Sequence, residues 1–115
     1  MAVDRMPCCE PEAAIARLEG DEELYGELVA QLFADAVVLL QKLSQAISAG
    51  DSDQVHYLAH SFKGQSATCG ATTVAALSAE LELLGREQRL DNAAVLYDRL
   101  DGVMEQTRDE LAKFV

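Results

Sequence analysis

The sequence predicts an all-α fold, an antiparallel up-down four-helix bundle with a short additional N-terminal helix. Three observations carry this expectation. Ala, Leu, Glu, Gln and Asp fill long uninterrupted stretches, Pro is confined to Pro7 and Pro11, and Trp is absent, a composition that favours helix over strand. Four of the stretches carry apolar residues at three-to-four spacing, the period of a helix with one buried face. Short Gly, Asp and Thr links separate them, and four apolar stripes so joined bury one another most simply as neighbouring antiparallel helices. With 115 residues, half of them hydrophobic, the chain has enough material for one core and too little for two. Residues 1–9 read as an N-terminal leader outside the packed domain, and residues 10–115 as the domain.

Pro11 suits the first position of the short helix, which Gly20 closes. Asp21-Glu22-Glu23 places acids at the positive end of a long second helix, whose Leu24, Leu28, Leu32, Leu39, Leu43 and Ile47 form its stripe to about Ala49. Gly50-Asp51 ends that helix and caps the next, with Gln54 three residues on as in a capping box. The third helix runs to about Cys69, and Gly70 breaks it. Thr72 or Thr73 can then cap a fourth helix carrying Val74, Leu77, Leu81 and Leu84. Asp91 is expected to cap the last helix, with Leu90 and Val95 as a hydrophobic staple and Val95, Leu96, Leu100, Val103, Leu111 and Phe114 as its stripe.

A formal net charge of −11 argues against nucleic acid and anionic membrane surfaces as partners, because both would be repelled at long range. No apolar stretch reaches the ~18 residues that span a bilayer, and residues 1–12 lack a basic start and an apolar segment, so a cytoplasmic protein is expected. The odd set Cys8, Cys9 and Cys69 offers no disulfide framework and reads as reduced thiols. None of the twenty acidic residues falls between Gln54 and Ala79, although acids crowd both flanks. Burial accounts for part of that gap, but not for the solvent-facing stripe within it.

That stripe is the functional candidate. At ~100° per residue, Val55, Leu58, Ala59, Phe62, Ser66 and Cys69 share one face of the third helix and His60 projects from roughly the opposite side. Lys63, Gly64 and Ala67 lie on the same side as His60, so an imidazole, an ammonium and a bare strip of backbone form one small surface. A nucleophile that another protein must reach needs such a surface. Folding the hairpin about position 71 sets residues level when their numbers sum to about 142, which brings Glu82 opposite His60 and Ser78 opposite Gly64. Glu82 is then the nearest acid able to accept from Nδ1–H of His60 and leave Nε2 as the exposed nucleophile, although this arithmetic fixes level and not helix rotation. Gln65 and Ser66 face partly inward. His56 precedes His60 by one turn, but lacks the Glu and third ligand of a zinc motif, so no metal site is expected and His56 reads as a surface histidine.

The run Ala59-His60-Ser61-Phe62-Lys63-Gly64-Gln65-Ser66-Ala67-Thr68-Cys69-Gly70-Ala71 resembles the motif of the histidine-containing phosphotransfer (HPt) domains of two-component phosphorelays. The likeness extends from about Asp21 to the end of the chain, including Gly50-Asp51 and Leu81-Glu82. The resemblance implies a four-helix bundle, often with a short extra helix. It also implies that His60 takes a phosphoryl group from the receiver domain of a hybrid sensor kinase and passes it to the receiver aspartate of a response regulator. By motif position Lys63 would stabilise the phosphoryl oxygens, while Gly64 and Ala67 would let the receiver approach. The implied protein is a monomeric phosphocarrier, not an enzyme, with no cofactor of its own and Mg²⁺ supplied by the receiver. Two alternatives are the phospho-acceptor domain of a chemotaxis-type kinase and an adaptor bundle without chemistry. A chain that starts at Met and carries no kinase region or P-loop signature favours the relay carrier over the first, and an acid-labile phosphate on His60 would exclude the second.

Overall fold

The computed structural model describes residues 6–115. Five helices follow in order: α1 Pro11–Arg17, α2 Glu22–Ser48, α3 Ser52–Thr68, α4 Thr72–Arg86 and α5 Ala93–Leu111, with a 3₁₀ turn at Ala112–Phe114. There is no strand among the described residues. Each of α2 to α4 packs on the next, and α5 returns against α2, so one core fills the space between these four helices. No helix among the described residues is long and apolar enough to cross a membrane.

Two of the predicted starts are made as expected. Asp21 accepts from the Leu24 amide at 2.9 Å and Asp51 from the Gln54 amide at 3.2 Å, each satisfying one of the free N–H groups at a helix start. The turn before α4 needs a glycine on two counts. Gly70 has φ +70°, and a Cβ there would lie 2.6 Å from the Glu10 carbonyl oxygen.

The start of α4 differs from expectation. Neither Thr72 nor Thr73 caps it, since Ala71 holds the N-cap position. Instead Thr72 Oγ1 and the Thr73 amide both donate to the Cys8 carbonyl, at 3.1 and 3.2 Å. The Glu10 amide donates to Gly70 O at 2.8 Å, and the Cys8 amide donates to both oxygens of Glu110 at 3.1 Å. Cys8 and Cys9 are therefore buried core residues, and the boundary after residue 9 falls inside packed structure. Of the expected leader, residues 1–5 lie outside the described part. Sequence periodicity gave no sign of this packing because two thiols followed by Glu and Pro have no helical period. Burial pushes all three thiols up, Cys69 to about 11, which favours the protonated form near neutrality.

The last helix also starts differently. Asn92, not Asp91, takes the N-cap of α5, without a side-chain bond. Ala93 turns inward and Val95 is left 62 % exposed, so no staple forms and Leu96 packs against the core instead. The rest of the expected stripe holds: Leu100 and Leu111 are buried, and Val103 and Phe114 pack against the core. In α2 the buried stripe is Tyr25, Val29, Leu32, Ala36, Leu40, Leu43 and Ala46, while Leu24 faces solvent. The expected stripe shares only Leu32 and Leu43 with it and leaves out Tyr25, Val29, Ala36, Leu40 and Ala46, while Leu28, Leu39 and Ile47 pack at the edge of the core. Tyr25 is fully buried because its hydroxyl donates to Cys69 O at 2.7 Å, and its ring meets Phe114 edge-on at 5.1 Å. In α3 the whole predicted face, Val55, Leu58, Ala59, Phe62, Ser66 and Cys69, is buried.

Candidate functional site

Burial of that face leaves the opposite side of α3 to solvent. The His60 side chain is 65 % exposed, Lys63 is 37 % exposed, and Gly64 and Ala67 lie open beside them. A Cβ at Gly64 would meet nothing within 4 Å. The bare stripe expected from the sequence is present, and no neighbouring helix covers it at Gly64.

Glu82, on α4, reaches this stripe from below. Its side chain is only 7 % exposed, and its oxygens divide between two residues of α3: Oε2 is 2.6 Å from His60 Nδ1 and Oε1 is 2.6 Å from Lys63 Nζ. A carboxylate can only accept, so Nδ1 of His60 is the donor, and in the neutral ring the lone pair is then on Nε2. The bond from the Lys63 ammonium, opposed by burial and reinforced by the bond from His60, holds the Glu82 carboxyl below the usual glutamate range. It is an anion throughout the neutral region.

Lys63 thus differs from a freely solvated cation. Its i+3 position on the same face as His60 was legible, but its seat on Glu82 required the helix rotation that sequence arithmetic leaves open. His56 also differs from the surface histidine expected. It is half-buried, its Nδ1 lies 3.2 Å from the Glu82 carbonyl oxygen, and its ring lies nearly parallel to that of His60 with centroids 6.5 Å apart. Gln65 donates to Asp35 of α2 at 2.7 Å, while Arg17 of α1 donates to the Ala67 carbonyl at 3.1 Å. The short first helix is tied in this way to the far end of the histidine stripe.

Away from this site, Cys8, Cys9 and Glu110 bring two thiols and a carboxylate together. Both carboxylate oxygens already accept from the Cys8 amide, and Oε2 also accepts from Gln106 at 2.7 Å. This cluster joins the N-terminal segment to α5.

The described residues are helical, and they present one imidazole nitrogen of His60 on an uncovered helix face while a buried carboxylate holds the other. The family model of the Hpt domain matches residues 27–110, and the chain belongs to that family. Its fold is also similar to the crystal structure of histidine-containing phosphotransfer protein B (HptB) from Pseudomonas aeruginosa PAO1, with 28 % identity, 95 % of each chain covered and a TM-score of 0.86. No curated protein matches the chain.

Proposed function

We propose that this protein is a cytoplasmic phosphorelay carrier built as an antiparallel four-helix bundle, with His60 as its phospho-acceptor. The observation that carries the reading is the pairing of an exposed His60 with the buried Glu82 at 2.6 Å. The lone pair on Nε2 attacks the phosphorus of an aspartyl phosphate on the receiver domain of a hybrid sensor kinase. The P–O bond to that aspartate breaks and its carboxylate leaves with the electron pair. The ring becomes cationic as Nε2 bonds to phosphorus, and Glu82 at Nδ1–H stabilises that charge. The reverse sequence delivers the group to the aspartate of a response regulator.

Such transfer depends on alignment and charge stabilisation, so the carrier needs little machinery beyond its acceptor. The receiver would bring the Mg²⁺ and the acidic pocket. Lys63 would turn one of its N–H groups to the phosphoryl oxygens while Glu82 restrains the rest of the ammonium. Gly64 and Ala67 would leave room for the receiver to close on Nε2. His56 is the weaker candidate acceptor because its Nδ1 meets a neutral carbonyl where that of His60 meets an anion. The same logic supports a carrier without kinase activity of its own.

The test is phosphotransfer profiling. Each phosphorylated receiver domain of the source is incubated with the chain, initial rates are ranked, and the modified residue is located. Rapid, acid-labile labelling of His60 by a small subset of receivers is expected. Absence of label from every donor would leave a binding module without chemistry.

A further inference from the structure

Glu82 is held by α3 in three places, and only two of them are on its carboxylate. The third is its main-chain carbonyl, which lies 3.2 Å from Nδ1 of His56. A carbonyl oxygen only accepts, so that nitrogen of His56 donates. One turn further along α4, Gly85 lies against the same strip of α3. A Cβ at Gly85 would sit 2.6 Å from the His56 amide nitrogen, 2.8 Å from the Ser52 carbonyl oxygen and 2.9 Å from the His56 Cα. All three are helix backbone atoms, which cannot rotate aside as a side chain can. Any larger residue must therefore push α4 away from α3 one turn from Glu82, where a hydrogen bond of 2.6 Å weakens if the helices separate.

We infer that Gly85 and His56 are positioning residues for His60. The bare surface of Gly85 sets the helix spacing, and the His56 bond fixes the Glu82 main chain so that its carboxylate meets Nδ1 of His60. Gly85 lies in the last turn of α4, and the close approach of the two helices there leaves no room for a Cβ. The inference rests on His60 being the phospho-acceptor.

The variants are Gly85→Ala, His56→Phe and, as a control, Gly102→Ala on α5, where a Cβ would meet nothing within 4 Å. Two readouts apply: nitrogen-resolved NMR of the His60 tautomer, and single-turnover transfer from an acetyl-phosphate-charged receiver that serves the wild type. In folded Gly85→Ala, His60 should lose its uniform Nδ1–H tautomer. Its maximal transfer rate should fall on the order of tenfold, as expected for a misplaced reacting group, with the half-saturating receiver concentration unchanged. His56→Phe, which keeps a ring but no donor, should move both readouts the same way by less. Gly102→Ala should match the wild type.

A folded Gly85→Ala with wild-type tautomer and rate overturns the inference. So does a raised half-saturating concentration at unchanged maximal rate, which would place the pair in receiver docking. Should Gly85→Ala fail to fold, His56→Phe decides by the same criteria. If the wild type accepts nothing on His60, the acceptor reading fails, and the tautomer measurement still decides the positioning role on its own.

Discussion

His60 and Glu82, 22 positions apart, meet across two helices with Nδ1 and Oε2 2.6 Å apart, the histidine largely exposed and the glutamate buried. Burial keeps the carboxylate fixed, and exposure keeps the far nitrogen available. Each feature follows from where one residue falls on its helix.

His60→Gln is expected to abolish phosphoryl acceptance while leaving the fold intact, because the lost side chain is exposed and packs against little. Mass spectrometry of the modified chain and a thermal melt check this together. Label that persists on His56 would move the acceptor site by one turn.

Glu82→Ala should turn the single Nδ1–H tautomer of His60 into a mixture, visible in the ring nitrogen shifts. It should also change the acid limb of stability. The folded-state pKa of Glu82 is lowered, so its contribution is fully present above the ordinary value of about 4.3 and is lost as pH falls through the lower folded value. Between those two points the wild type should gain stability with rising pH more steeply than the variant. Chemical denaturation at a series of acidic pH values measures the difference, and parallel curves would mean that Glu82 gains nothing from Lys63 and His60.

For Lys63→Ala the expected result is slower transfer and a shorter-lived phosphohistidine, with receiver affinity nearly unchanged. The loss should be about tenfold, less than for a donor in a closed site, because Lys63 is partly solvated. The rate of phosphohistidine hydrolysis is the sharper readout. An unchanged lifetime would leave the ammonium serving only Glu82.

Gly64→Ala should raise the melting temperature, since Ala is the better helix residue by up to ~1 kcal/mol and the added methyl meets nothing within 4 Å. Gly64→Gln should fold equally well but weaken receiver docking, its longer side chain lying across the approach to Nε2. A wild-type half-saturating concentration for Gly64→Gln would show that the receiver docks elsewhere.

Much of this protein is legible one residue at a time. The period of α3 separated Phe62 and its neighbours from His60, since the helix turn alone divides the two faces. The run from Ala59 to Ala71 marked the family, and the caps at Asp21 and Asp51 act through bonds within three residues. The level of Glu82 against His60 followed from the length of a tight turn. Contacts between distant segments left no such trace. That Lys63 also lands on Glu82, that His56 holds its carbonyl, and that Gly85 sets the spacing all depend on how α3 and α4 are rotated about their axes. The packing of Cys8 and Cys9 against α4 and α5 is of the same kind. Periodicity reports which face of an element is apolar, but its rotation and its partners are chosen only when all the faces are packed together at once.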